Sequence, residues 1–327
     1  MNIIFIAVLL SFTLSIITGF ILIPILKKTH ADQNISKYLI RAHNQKNHTP
    51  TIGGLIFIIP TLIITTLLII FKKIEVNYSL IIIIFTFLSY SLIGLLDDYL
   101  KIKRKSNDGL NEKQKLILQI IIALIFFYLF LISGNEPLLW IHILNIKKNI
   151  GFLYGIFILI ILLGTTNAVN LTDGLDGLAS GLSIIALTTF GIITYNTEWL
   201  NGYKDITIFT FTLVGSLLGF LFFNINPAKV FMGDTGSMAL GGILASIAIL
   251  TRHELLLILI GFVFVIEMLT TIIQRIYYKL TKKRLFPMTP IHHAFEKKGM
   301  NEREIVKIFW CAGLITSLLA LIYGVIT

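Results

Sequence analysis

The chain has 327 residues, is 56% hydrophobic and only 13% charged, and has a mean hydropathy of +0.87. Soluble domains carry about a quarter charged residues, so this composition excludes an ordinary soluble domain. The single cysteine, Cys311, excludes an internal disulfide and says nothing about the redox compartment.

Apolar runs long enough to cross a bilayer recur along the whole chain, and they are continuous rather than alternating, which favours helices over a barrel. The first run has no basic segment before it and no small-residue cleavage site, so we expect it to stay as a span. We predict an all-α polytopic membrane protein with a single integral domain, 1–327. About ten spans are expected: 2–26, 52–71, 79–96, 116–133, 150–167, 177–195, 205–223, 236–250, 255–279 and 305–325.

The distribution of basic residues predicts the orientation of these spans. With the N-terminus outside, 21 of the 27 Lys and Arg fall on the inner side and six on the outer side. Because cytoplasmic loops are rich in Lys and Arg, we expect both termini outside. Every polar cluster then lies on the cytoplasmic face. The formal net charge of +10 belongs to these loops, and no nucleic acid partner is expected.

Two adjacent aspartates, Asp97 and Asp98, close the third predicted span. Adjacent carboxylates repel, so the pKa of one rises unless a cation neutralises both. Acids at a helix C-terminus oppose the helix dipole, and acids at membrane depth are costly. The pair is therefore predicted to serve function rather than to solvate a helix end.

A second acidic cluster lies in "NAVNLTDGLDG", where Asn170, Asp173 and Asp176 are three residues apart. On a helix this spacing places them on one arc, whereas an N-cap would account for only one of them. Asp234 lies between glycines in "FMGDTGS", where a turn and an N-cap are the alternative. Together these acids predict an oxygen-rich site of the kind that Mg²⁺ shares with phosphates, whereas no zinc spacing is present.

Basic and imidazole side chains fall on the same predicted face. His292 and His293 follow a proline in a basic loop, where they could bind phosphate, transfer protons or contact anionic lipid. Lys46 and Lys115 lie in inner loops, in which most lysines serve topology alone.

A polar stripe runs along one face of the ninth predicted span, formed by Glu267, Thr271 and Gln274. It could pack helices together or belong to the site.

Clustered acids, a basic rim and a membrane-level position together predict Mg²⁺-assisted phosphate chemistry, with an anionic substrate and a lipid substrate.

Three motifs, "GLLDDYLKIKRKSNDGLNEKQK", "NAVNLTDGLDGLA" and "VFMGDTGSMALGG", resemble those of the polyprenyl-phosphate sugar-1-phosphate transferases, and the resemblance covers nearly the whole chain. The loop "TPIHH" resembles the corresponding loop of the branch that transfers phospho-N-acetylmuramoyl-pentapeptide, and separates it from the relatives that transfer N-acetylglucosamine phosphate. The resemblance implies transfer from UDP-N-acetylmuramoyl-pentapeptide to undecaprenyl phosphate, with release of UMP and formation of lipid I. It also implies a bacterial inner (cytoplasmic) membrane location.

The resemblance further implies a role for each matching residue. Asp97, beside Asp98, would deprotonate or orient the lipid phosphate, and Asp234 would be the principal Mg²⁺ ligand. Asn170, Asp173 and Asp176 would bind the nucleotide and shape the metal site, with Asp173 as a second metal ligand. The pyrophosphate charge would be neutralised by Lys46, Lys115, His292 and His293. Gln274 would lie near the uracil.

The chain departs from the family pattern at a few positions. Ala294 stands where the family usually has a third consecutive histidine, Met300 and Asn301 where a tryptophan often lies, and His48 where a glycine is common. These departures bear on the contacts of the loops rather than on the reaction.

Two other functions compete with this hypothesis. The nearest is transfer of N-acetylglucosamine phosphate to the same lipid. A transporter or channel would need acids near mid-bilayer in several spans and broken helices in matching halves, and only Glu267 lies deep in a predicted span. The sequence does not give the oligomeric state, for which a homodimer is the common default.

Overall fold

The computed structural model describes residues 2–29, 49–106, 108–141, 146–198, 200 and 202–326. Within them the chain forms helices and one antiparallel pair of strands. The elements are, in chain order, α1 (Asn2–Lys28), α2 (Leu55–Ile70), α3 (Tyr78–Arg104), α4 (Glu112–Ile132), β1 (Leu138–Ile141), β2 (Ile146–Asn149), α5 (Leu153–Thr172), α6 (Leu178–Asn196), α7 (Tyr203–Asn224), α8 (Gly233–Leu250), α9 (Leu257–Ile260), α10 (Phe262–Thr281), α11 (Ile291–Lys297) and α12 (Glu302–Ile326).

Eight of the described helices are long and apolar enough to cross a membrane: α1, α3, α4, α5, α6, α7, α8 and α12. The helix α2 is equally apolar but has only 16 residues. These helices confirm the predicted polytopic, mostly helical membrane fold. The expected count of ten spans, with both termini outside, stays a prediction.

The structure corrects the predicted elements at three places. The helix α3 continues to Arg104, so Asp97 and Asp98 lie within it and not at its end. The predicted ninth span is broken at Gly261 into α9 and α10. The segment between α4 and α5 forms the hairpin β1–β2, whose cross-strand pair Trp140 and Lys147 makes a cation–π contact of 3.7 Å to the ring centroid.

The helix α8 lies at the centre of the bundle, buried on every face from Thr235 to Leu250. It packs mainly on α3 and α5. Gly94 of α3 lies against the backbone of Asp234, and Gly241 of α8 lies against the backbone of Thr166 in α5. Small residues allow such close approach of helix backbones in a membrane protein. The start of α8 is thereby held directly beside the two aspartates of α3.

A buried polar network ties the hairpin to the end of α8 that lies opposite Asp234. Arg252 donates to the carbonyl oxygens of Leu138, at 3.0 Å, and Glu136, at 2.6 Å. It also donates to the Tyr154 hydroxyl at 3.0 Å, which in turn donates to the carboxylate of Glu254. Burial of these polar groups is tolerated because Arg252, the Tyr154 hydroxyl and one oxygen of Glu254 are hydrogen-bonded to one another or to the hairpin. This network fixes how α5, α8 and the hairpin meet.

Replacing Gly94 by alanine should destabilise the protein, because the added Cβ overlaps the backbone at the start of α8. Overpacking of this kind costs about 1–3 kcal/mol. The matched control is Gly164→Ala in α5, where a Cβ meets open space and the better helix propensity of alanine applies. Thermal unfolding of the purified protein should show a lower Tm for Gly94→Ala only. Equal midpoints for the two variants would contradict the close crossing.

The stability of the protein should depend on pH through Glu254. Burial raises the pKa of this carboxyl to about 7, so its protonated form is favoured in the folded state. Its contribution to stability is therefore lost as pH rises from about 4.5 through 7. Glu254→Gln should match the wild type in Tm at pH 5 and exceed it at pH 8. Glu198→Gln, at an exposed position, should show the same Tm as wild type at both pH values.

Candidate active site

Three carboxylates meet where α3 crosses the start of α8. Asp97, Asp98 and Asp234 each offer an oxygen, and these oxygens lie within 4.8 Å of one another. Asp97 and Asp98 are buried, and the side chain of Asp234 is 13% exposed. Carboxylate oxygens in such a group are the donors that hard divalent cations prefer. The set therefore fits a divalent metal ion by its chemistry, as the sequence predicted for Asp234.

The two aspartates of α3 are engaged differently. Asp98 accepts the backbone N–H groups of Asp234, at 3.1 Å, and Thr235, at 2.9 Å, and the Thr235 hydroxyl at 2.7 Å. It thus caps the first turn of α8 from a neighbouring helix, where the helix dipole favours an anion. Gly233, with a φ of 71°, makes the turn that presents these N–H groups.

Asp97 faces two lysines instead. Its carboxylate lies 2.7 Å from Nζ of Lys101, one helical turn away, and 3.1 Å from Nζ of Lys115 in α4. It also accepts the backbone N–H of Leu110 at 2.7 Å. Both lysines reach Asp234 as well, Lys115 at 2.7 Å and Lys101 at 3.2 Å. The cluster is therefore a group of three acids and two lysines, in which the lysines offset two of the three negative charges.

Lys101 was not among the residues that the sequence predicted, although its spacing of four from Asp97 is a helical signal. The prediction stopped the helix before Asp97, so this spacing carried no weight. Lys115 was predicted, and its position follows from local sequence. Asn111 and Gln114 form a capping box that begins α4 one turn before it.

Asn170 joins the same cluster from α5. Its amide nitrogen donates to Asp234 Oδ1 and to Ser237 Oγ, both at 2.9 Å. Both Asp234 oxygens therefore have partners on other helices, and the acid is held in one orientation. The structure thus brings together Asn170 and Asp234, which the sequence analysis named from two separate motifs.

The helical arc that would place Asn170, Asp173 and Asp176 together does not form, because α5 ends at Thr172. Asp173 and Asp176 lie in the turn before α6, and neither caps α6, whose N-cap is Gly177. Burial, followed by the charges of the aspartates around it, raises the pKa of Asp173 to about 8. A cation bound nearby would relieve this repulsion and favour the charged form.

The two histidines of α11 differ in exposure. His292 is fully buried, its Nδ1 lies 3.1 Å from the equally buried Glu267, and its Nε2 faces the Cα of Gly174. His293 is 12% exposed and its Nδ1 lies 2.6 Å from Glu296. The imidazole of His292 therefore supports the turn that carries Asp173, while that of His293 lies nearer to solvent.

The other predicted residues lie apart from the cluster or outside the described residues. Gln274 accepts the backbone N–H groups of Leu285, at 3.0 Å, and Phe286, at 2.9 Å, and so holds the loop after α10. Ala294, at the position of the usual third histidine, is buried. Lys46 lies outside the described residues.

This fold and this cluster define an integral membrane protein with an acidic site at the end of its central helix. Residues 80–252 match the model of glycosyl transferase family 4. Proteins named phospho-N-acetylmuramoyl-pentapeptide-transferase are similar over nearly their whole length. That of Staphylococcus epidermidis is 46% identical over 98% of this chain and 99% of its own, and that of Bacillus subtilis is 44% identical over 98% and 97%. That of Bacillus licheniformis is 43% identical over 98% and 97%.

The chain therefore belongs to glycosyl transferase family 4, and its relatives place it among the phospho-N-acetylmuramoyl-pentapeptide-transferases. The matched segment runs from α3 to the end of α8, and so contains the carboxylates and lysines of the cluster. The family resemblance expected from the sequence motifs is confirmed.

The thermal stability of the ligand-free protein should fall in Asp98→Asn. The amide keeps the shape of the side chain but loses the charge, so α8 loses an anionic cap worth about 1–3 kcal/mol. Asp108→Asn removes an exposed charge from the turn after α3 and serves as the control. Unfolding midpoints measured without substrate or metal should separate the two. An unchanged midpoint for Asp98→Asn would contradict its role as the cap of α8.

Proposed function

We propose that this protein transfers phospho-N-acetylmuramoyl-pentapeptide from its UDP conjugate to undecaprenyl phosphate, giving lipid I and UMP. The observation that carries the proposal is the cluster of Asp97, Asp98 and Asp234 with Lys101 and Lys115, set at the end of a helix buried within a membrane bundle. A site at the end of a membrane-spanning helix would be reached by a lipid substrate from the membrane and by a nucleotide from water. The names of the relatives support the choice of sugar.

The proposal includes the placement of the chain. We infer a single integral domain of about ten spans in the bacterial inner membrane, with both termini outside and the cluster on the cytoplasmic face. The excess of Lys and Arg in the loops on that side supports this orientation. UDP-linked precursors would then reach the site directly from the cytoplasm.

Mg²⁺ is the proposed metal, because it is commonly held by one or two carboxylates together with substrate phosphates. Asp234 and Asp173 would hold it, with Asp97 beside them. Asp98 is a weaker candidate, since its oxygens are engaged by the start of α8. When bound, Mg²⁺ supplies positive charge that stabilises the pyrophosphate and the departing UMP.

The side chains of the cluster then perform the remaining tasks. The phosphate of the lipid has a second pKa near 6, so it is largely a dianion and already nucleophilic at neutral pH. Asp97 would orient this phosphate or accept its last proton. An oxygen of the lipid phosphate would attack the sugar-linked phosphorus, and the bond from that phosphorus to UMP would break. Lys101 and Lys115, released from the acids, would stabilise the charge on the phosphate oxygens.

The nucleotide of the UDP substrate would bind at the turn between α5 and α6 and at the residues next to this turn. Asn170 and Asp173 would face the nucleotide, Asp176 would shape the turn that carries Asp173, and His293 would neutralise pyrophosphate charge. The buried His292 would act by supporting Gly174. Lys46 beside the pyrophosphate and Gln274 near the uracil are proposed from the motifs alone.

The test is transfer of a labelled sugar from UDP to undecaprenyl phosphate by the purified protein. UDP-N-acetylmuramoyl-pentapeptide should be the donor, product should form with Mg²⁺ and not with EDTA, and UMP should appear in equal amount. Asp234→Asn should lower the rate by about 100-fold or more, because it removes a charged group at the reacting phosphates. Lys113→Gln, an exposed neighbour of Lys115, should keep the wild-type rate.

Two outcomes would reject the proposal. A strong preference for UDP-N-acetylglucosamine would move the chain to the other transferase branch. Flux of substrate across liposomes without release of UMP would make it a transporter.

A further inference from the structure

The carboxylate of Glu302, at the start of α12, joins two loops that are distant in sequence. Its Oε1 accepts the backbone N–H of Asp176 at 2.7 Å, and its Oε2 accepts the side-chain amide of Asn226 at 2.9 Å. The same amide nitrogen donates to Asp176 Oδ2 at 3.0 Å. Glu302, Asn226 and Asp176 thus form a closed triangle of hydrogen bonds.

The triangle is reinforced from both sides. The backbone N–H of Ala228 donates to Asp176 Oδ2 at 3.0 Å, and Arg303 Nε donates to Asn226 Oδ1 at 2.8 Å. Asp176 is 3% exposed, so its charge depends on these donors. Hydrogen bonds to charged groups are the stronger ones, and here they are shared among α12 and two loops.

These loops lead directly to the candidate active site. The turn that contains Asp176 also contains Asp173, and its Gly174 lies against His292. The loop that contains Asn226 runs to the first turn of α8, which contains Asp234. The hydrogen bonds of Glu302 to Asp176 and Asn226 therefore join the turn that contains Asp173 to the loop that leads to Asp234.

We propose that Glu302, acting directly on Asp176 and through Asn226, is a positioning residue that holds the turn Asp173–Gly177 in the conformation that binds the nucleotide of the UDP substrate. The proposal rests on the function proposed above and adds to it a determinant of nucleotide affinity outside the acid–lysine cluster. The carboxylate of Asp176 acts within the triangle, where it shapes this turn.

The chain supplies a matched control for charge at this position. Glu302 and Glu304 are both in the first turn of α12, so both interact favourably with its dipole. Glu304 is exposed, and its neighbour Glu302 is the acid that contacts the loops. Comparison of the two neutral variants therefore separates the triangle from the general effect of an acid at the helix start.

The experiment measures steady-state kinetics of the full-length protein in detergent or nanodiscs, with UDP-N-acetylmuramoyl-pentapeptide and undecaprenyl phosphate varied separately. In Glu302→Gln, the new amide NH₂ group faces one of the two donors that the carboxylate accepts, the Asp176 N–H or the Asn226 side chain. It should raise KM for the nucleotide substrate about tenfold, the effect of losing one charge-assisted hydrogen bond. The KM for the lipid, kcat and the half-saturating Mg²⁺ concentration should stay within about twofold of wild type, a margin of under 0.5 kcal/mol. Glu304→Gln should match the wild type in all four.

A second variant tests the triangle from its other corner. Asn226→Asp replaces the shared donor by an acceptor that faces two acids, so it should raise the nucleotide KM further. In the double variant, Glu302→Gln with Asn226→Asp, the new amide can donate to the new carboxylate. Its nucleotide KM should therefore fall below that of Asn226→Asp alone, a coupling expected only of residues in contact.

Three results would overturn the inference. These are an unchanged nucleotide KM in Glu302→Gln, a fall in kcat with both KM values unchanged, and a shift confined to the Mg²⁺ dependence. The second result would indicate a general loss of active protein, and the third a role at the metal alone. An inactive wild type would instead reject the proposed function, so the two failures are distinguishable.

Discussion

The site depends on the cap that Asp98 places on the first turn of α8. A helix buried on every face has N–H groups at its start that water cannot reach, and an unpaired buried donor is costly. Asp98 pairs with two of these groups, and Gly94 lets α3 come close enough for the contact. The same contact brings Asp97 and Asp234 together. Stability of the central helix and assembly of the acidic cluster are therefore one requirement.

Partial neutralisation of the carboxylate charges explains the rest of the cluster. Three carboxylates this close repel strongly where water is scarce. Lys101 and Lys115 offset that repulsion, and Asn170 holds Asp234 with an uncharged donor. The same arrangement suits phosphoryl transfer, in which cations must bring two anionic reactants together. In the proposed reaction, the lysines would exchange the aspartates for phosphate oxygens.

The predicted site residues and the observed ones agree best where local sequence fixes geometry. The motif around Asn111 begins α4 and so places Lys115, and Gly233, next to Asp234, marks the start of α8. The prediction from hydropathy was poorest at the end of α3. The apolar signal falls after residue 96, although α3 continues to Arg104, and the predicted end hid the pairing of Asp97 with Lys101. Glu302 was missed because its partners lie far away in sequence.

The sequence by itself determined the membrane class of the chain, the position of most of its helices and the family to which it belongs, because hydropathy, capping residues and motifs are local properties. Only the tertiary structure decided what each acid does. It separated Asp98, which caps α8, from Asp97, which faces the lysines, and it assigned Asp176 to the triangle with Glu302. These roles depend on which backbone donors lie within about 3 Å, a distance set by helix crossings and loop contacts.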